Sequence, residues 1–310
     1  MSKTRIILDT DIGDDIDDAL ALALILRSPE LDLCGITTVF CDTVARSRQA
    51  RTILKIEDRT DIPVAAGCGS ILSPRASRDG AQRKLHQGRP FLTPAYNLLE
   101  KIAPAQDVTA LPEAQLPPPS PLHGVDFLID AYSRKSNVTL VTIGALTNVA
   151  MAIVKAPHIV PNIPHIVTMG GVFTQQFSEW NISCDPVAAS IVADSGIPMR
   201  WVGLDVTLQC RLSTDQIERF GTSSDELCRN LHAAARAWNH VVTLHDPLAV
   251  ETILRPGIVT TRRGTVGVEL AGEKTWGYTL FKEDPDGPHE VCTAVKAAEA
   301  VSLYLERVLR

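Results

Sequence analysis

The strongest constraint in this sequence is a short apolar run that is cut off by an aspartate and followed, after a tight turn, by a helix-forming stretch. Arg5–Leu8 stops at Asp9, Gly13 permits the turn, and Ala19–Leu26 is rich in Ala and Leu and ends near Pro29. The first segment reads as a buried strand and the second as a helix. The pattern recurs: Leu33–Phe40, Pro63–Ala66, Val138–Ile143, His165–Met169 and Met199–Leu204 read as strands. Residues 44–57, 147–155, Pro186–Asp194, 224–243 and 246–254 read as helices. Residues 258–283 suggest short strands with Gly turns, and 291–309 a closing helix. Such alternation predicts an α/β fold: an open, mostly parallel, Rossmann-like central sheet flanked by helices.

Residues 70–122 break the rhythm, with prolines at 74, 90, 94, 104, 112, 117, 118, 119 and 121. The reading there is an irregular insertion with a short helix near 95–102, of the kind that often carries function. There is no internal repeat, and one domain over 1–310 is expected.

Composition narrows the function classes. The chain is 45% hydrophobic and 21% charged, which argues against wholesale disorder. Thirty Lys and Arg face 36 Asp and Glu, a net charge of −6 with no long basic run. This argues against a nucleic-acid scaffold or a basic membrane-surface module. The seven cysteines are scattered singly, without a CxxC pair, which disfavours a disulfide framework or a zinc ribbon. No stretch approaches the roughly 18 apolar residues of a membrane span, and Ile6–Leu8 is too short for a signal-peptide core. A soluble, cytoplasmic protein is expected.

The acids are unevenly spread. Asp9, Asp11, Asp14, Asp15, Asp17 and Asp18 fall within ten residues, at the carboxyl end of the first strand. Ligand sites in open α/β sheets lie there. One or two of these aspartates are explained as helix N-caps. Six would repel one another unless hydrogen bonds or a cation offset the repulsion. An oxygen-rich donor set suits Ca²⁺ or Mg²⁺ rather than zinc. The spacing is not that of an EF-hand loop.

At this point the sequence resembles a known family. ILDTDIGDDIDDALAL resembles the N-terminal signature of the inosine–uridine preferring nucleoside hydrolases, D-x-D-x-G-x-D-D. In order there follow ITTVF (36–40), PVAAG (63–67), LVTIGALTNVA (140–150), MGGVF (169–173), EWN (179–181), DPVAA (185–189) and HDPLAV (245–250). The resemblance covers nearly the whole chain. It implies Ca²⁺-dependent cleavage of a ribonucleoside to ribose and free base. Asp11 matches the aspartate that binds metal and activates water. Asp18 matches a metal ligand, Asp17 a ribose ligand, Asp246 the distant metal-binding aspartate, and Ile143 a main-chain carbonyl ligand. This sequence has two extra residues between Gly13 and the Asp17–Asp18 pair, which leaves Asp14 or Asp15 as alternative ligands. Glu179 and Asn181 match the sugar-binding Glu-x-Asn, with Trp180 between them as a wall of the site. Asp42 stands where many members have a ribose-contacting asparagine, and Gln175 or Gln176 where another is expected. His86 falls in the place of an active-site histidine. His245, beside Asp246, is the candidate acid for the departing base, with a pKa expected near neutrality. Family members are often dimers or tetramers, so a homo-oligomer is expected.

Two other readings stand beside this one. Asp9-Thr10-Asp11 after a strand mimics the nucleophile motif of Mg²⁺-dependent phosphotransferases of the haloacid dehalogenase type, but no convincing partner lysine and Gly-Asp motif follow. A non-catalytic calcium- or ribose-binding protein is the other, supported by Asp42. Trp238 or Tyr278 is a candidate for base stacking, with core packing at least as good a reading for each. Cys41 reads first as a buried thiol, and His158, His165, His232 and His289 as structural or surface histidines.

Overall fold

The computed structural model describes residues 3–73 and 109–309. The short helix expected near 95–102, and His86, lie outside the described residues.

β1 (Thr4–Thr10) is followed by α1 (Asp17–Leu26), β2 (Leu31–Thr38), α2 (Thr43–Ile56) and β3 (Val64–Ala66). β4 (Thr139–Thr142), β5 (Ile166–Met169) and β6 (Met199–Val202) continue the parallel sheet, with helices Thr147–Lys155 and Pro186–Ala193 between them. β7 (Val259–Val268), β8 (Thr279–Glu283) and β9 (His289–Val295) complete it. The strand order is β3-β2-β1-β4-β5-β6-β9-β7-β8. β9 runs parallel to β6, while β7 is antiparallel to both β9 and β8. The chain therefore winds one way from β1 to β3 and the other way from β4 onward. The crevice between β1 and β4 is the switch point where such sheets bind ligands.

β1 explains its own position. Ile6 and Leu8 point to one face of the sheet, where they pack with α1 and helices His245–Leu254 and Ala297–Val308. Ile7 points to the other, into a cluster with Leu140, Ile166 and helices Thr147–Lys155 and Pro186–Ala193. A strand buried on both faces must be apolar throughout, and this one is until Asp9. α1 is buried along almost all its length because it sits between the sheet and helix His245–Leu254. This contact brings two distant acidic segments together.

Several elements differ from the sequence expectation; helix Gly124–Ala131, for one, falls where none was read. The closing helix begins at Ala297; residues 289–295 are β9, where Val291 and Cys292 are buried against β6 and β7. The helix expected over 224–243 spans Glu226–Trp238 and stops because Asn239 adopts the left-handed conformation that ends helices (φ 54°). Helix Thr214–Gly221 was not expected, although Ser213 and Gln216 form a capping box at its start. Of the irregular insertion, residues 109–122 hold only a short 3₁₀ turn, Glu113–Gln115, gripped by Arg51 at 2.7 Å.

One buried acid lies outside any site. Both carboxyl oxygens of Glu251, and the Tyr304 hydroxyl, are buried with no partner among the described residues. Burial pushes the Glu251 carboxyl well above its usual range, against a smaller opposing pull from Arg255. The folded state thus holds a proton that the unfolded chain releases above about pH 4.3. Glu251's contribution is complete below that pH and is lost as pH rises toward the folded pKa, by up to about 1.4 kcal/mol per pH unit. Glu251→Gln is expected to raise Tm relative to the parent by an amount that grows from pH 5 to pH 8. Parallel Tm–pH curves in calorimetry would refute this.

Candidate active site

The site is built where β1 ends. Asp9 closes the strand, but its carboxylate is fully buried behind the site, accepting from the Thr37 hydroxyl and from Asn148 Nδ2 at 2.7 Å. It cannot serve as an exposed nucleophile, which removes the structural support for the haloacid dehalogenase-type reading. Thr10 turns its hydroxyl to Asp18 Oδ1 (2.5 Å) and accepts from Ile12 N (3.1 Å), folding the turn onto the start of α1. Asp11 lies against the backbone just after β4. A Cβ on Gly144 would come within 2.8 Å of Asp11 Oδ1, so glycine is required there.

Carboxylate oxygens of Asp17, Asp18 and Asp246 lie within 4.8 Å of one another, all three residues buried. The first two come from the first turn of α1 and the third from the first turn of helix His245–Leu254. Asp11 and Asp15 border this triad. Burial, then mutual repulsion, holds Asp17, Asp18 and Asp246 well above the usual carboxylate range. Burial also lifts Asp11 to about 7, with the Arg46 guanidinium pulling it back, and Asp15 to about 6. A nest of buried carboxylates that resist ionising together is what a divalent cation stabilises. Its all-oxygen donor set fits a hard ion.

Asp14 adds its negative charge to Asp11 and Asp15 but is held by a cation of its own. Its carboxylate pairs at 2.5 Å with Arg46, whose side chain is fully buried. The expected ligand Ile143 directly follows β4, and its carbonyl accepts from Asn181 Nδ2 at 3.0 Å, which leaves its second lone pair for another partner. Asn181 also donates to Met169 O at 3.2 Å and so ties the ends of β4 and β5 together. Glu179 caps the short helix Trp180–Cys184, accepting from Asn181 N (2.8 Å) and Ile182 N (3.1 Å). It stands near enough to Asp11 to raise its carboxyl. Trp180 packs half-buried against a small cluster of Val39, Phe40, Cys41, Ile71, Ala145 and Cys184.

Other expected residues have structural partners. Asp42 caps α2 through Ala45 N at 2.9 Å. Gln175 and Gln176 are exposed, and Tyr278 donates its hydroxyl to Gln176 O (2.8 Å). Trp238 packs against the core and meets His240 edge-on. Burial raises the Cys41 thiol to about 12, so it is an inert thiol in this structure. His245 Nδ1 lies 2.7 Å from the Thr207 hydroxyl. Burial, helped by Arg211, pushes its imidazole down to about 4, so the expectation of a pKa near neutrality is not met. The ring is a neutral hydrogen-bonding group here. Sequence reasoning missed Arg46, Thr10, Asn148 and Gly144. The last two lie inside the matched run 140–150, while Arg46 carries no motif.

Among the described residues no helix is long and apolar enough to cross a membrane. Residues 6–302 match the model of the family described as inosine-uridine preferring nucleoside hydrolase. The inosine-uridine preferring nucleoside hydrolase of Crithidia fasciculata is 32% identical, over 98% of this chain and 94% of that protein. A probable uridine nucleosidase of Arabidopsis thaliana is 31% identical, over 99% and 98%. A solved plant nucleoside hydrolase superposes with a TM-score of 0.82 at 28% identity, covering 99% of both chains. The sheet order, the acidic nest at its switch point and these likenesses agree, and the chain belongs to the inosine-uridine preferring nucleoside hydrolase family.

Proposed function

We propose that this chain hydrolyses the N-glycosidic bond of ribonucleosides with Ca²⁺ as its metal. The observation that carries the reading is the convergence of Asp17, Asp18 and Asp246 beside Asp11, at the crevice of a sheet built as in this family. In this reading Asp11, Asp18, Asp246 and the Ile143 carbonyl hold the ion, with Asp15 as a further candidate. Held there, the ion would supply Lewis-acid chemistry that orients the ribose hydroxyls and acidifies a water. Asp11 accepts that water's proton. Asp17 binds a ribose hydroxyl. Glu179 and Asn181 receive the sugar against the Trp180 wall, and Asp42 and His86 are further candidates for substrate contact. The carboxylates around the sugar favour the positive charge that develops as the bond breaks. His245 stands one residue from Asp246 and is the candidate group for the leaving base. As a neutral imidazole it donates a hydrogen bond rather than a proton from a charged ring. The reading extends to a cytoplasmic homo-oligomer, a dimer or tetramer.

The test is release of ribose from a panel of purine and pyrimidine nucleosides, with Ca²⁺ and with a chelator. Turnover that requires Ca²⁺ supports the reading. Calcium binding without turnover on any nucleoside would favour the non-catalytic alternative. The same panel run on His245→Ala should show a larger rate loss on poor leaving groups than on an activated one. Equal loss on both would remove His245 from the leaving-group role.

A further inference from the structure

Arg46 is fully buried on the first turns of α2, and every direction of its guanidinium is used. Nη1 donates to the main-chain carbonyls of Asp11 and Ile12, the latter at 3.0 Å. Nε donates to Phe40 O at 2.6 Å, and Nη2 pairs with Asp14 at 2.5 Å. The segments it joins are those most in need of restraint. Residues 11–14 open the turn that aims Asp11, and the two residues by which this sequence exceeds the signature it resembles lie within that turn's exit, between Gly13 and Asp17. Phe40 and Cys41 are consecutive non-glycine residues in the left-handed region (φ 70° and 59°), a strained turn that persists only when its surroundings hold it.

We propose that Arg46 is a positioning residue for Asp11: its carbonyl bonds, rather than its positive charge, fix the turn that presents the acidic nest. This rests on the nest being the metal site of the proposed reaction. A planar fork can meet three carbonyls and a carboxylate at once, whereas an ammonium is a point charge without that geometry. The two accounts of Arg46 predict opposite signs. If it acts only as a charge, its removal leaves a more negative nest that binds a cation more tightly. If it positions the turn, its removal weakens cation binding.

The experiment is calorimetric titration of Ca²⁺ into chelator-stripped full-length protein, with circular dichroism as the check on folding. Arg46→Met is expected to lower Ca²⁺ affinity by about 10–100-fold, the scale typical of groups that orient metal ligands. Arg46→Lys, which keeps the charge, is expected to lose about 10-fold or more. Asp14→Asn, which leaves the carbonyl bonds in place, is expected to stay within about threefold of the parent. At saturating Ca²⁺, Arg46→Lys should lose kcat with KM nearly unchanged, because the sugar-binding Glu179 and Asn181 are untouched. Unchanged or tighter Ca²⁺ binding in Arg46→Met, parental affinity in Arg46→Lys, or an Asp14→Asn loss as large as that of Arg46→Met would each overturn the proposal. If Arg46→Met does not fold, the lysine and Asp14 variants decide. A parent protein that binds no Ca²⁺ or cleaves no nucleoside would instead sink the functional reading, which is a separate outcome.

Discussion

Asp11→Asn is expected to lower kcat by about 10³–10⁴-fold at saturating Ca²⁺, the upper range for losing a positioned general base. The same substitution should leave thermal stability without metal equal to or above that of the parent. Asp11 sits among Asp14, Asp17, Asp18 and Glu179, and burial already holds its carboxyl up at about 7. An amide of the same shape removes one like charge from that group and opens no cavity. Loss of turnover together with retained stability is the signature of a residue kept for chemistry at some cost to the fold. Steady-state rates and calorimetry on one preparation check both parts. Turnover within tenfold of the parent would remove Asp11 as the base.

The second large effect concerns the distant carboxylate. Asp246→Ala is expected to abolish the stabilisation that Ca²⁺ gives the parent. A ligand at one hundred times its dissociation constant stabilises by about 2.7 kcal/mol. In a chain of this size that corresponds to several degrees of Tm. The parent should show that rise, whereas Asp246→Ala should show almost none and should lose turnover. Asp246 is the one member of the triad that does not come from α1, so its removal leaves the cation held from one side only. A full calcium-dependent Tm rise in Asp246→Ala would show that the ion sits elsewhere.

What was legible in the sequence follows from the range of the forces involved. β1 and its acidic turn could be read because a strand buried on both faces must be apolar, and because the turn that ends it is local. The ordered motifs placed Asp11, Asp17, Asp18, Glu179, Asn181 and Asp246 at or beside one crevice, and the structure brings them there. Arg46 was not legible. TVARSRQARTILKI carries three arginines within six residues and reads as a solvated helix face, yet Arg46 and Arg51 are both buried. Their partners, Asp11 O and Glu113, come from other segments, so only tertiary contact reveals them. Residues 291–295 of β9 were read as helix only as an extension of the Ala- and Glu-rich stretch that begins at Ala297. The β-branched Val291, Thr293 and Val295 instead suit the strand that pairs with β6 and β7. The pKa of His245 depends on what buries it, and no local pattern carries that information.

The contact between α1 and helix His245–Leu254 has a consequence for how the molecule assembles. The triad draws on the first strand–helix unit and on a helix added near the end of the chain. In the folded chain its carboxylates meet across that helix contact, and they oppose the contact by repelling one another. In the proposed reading, a divalent cation therefore has little to bind until that contact is made. Cation uptake and this contact are then thermodynamically linked, and the ion would act as a latch between residues 11–18 and helix His245–Leu254.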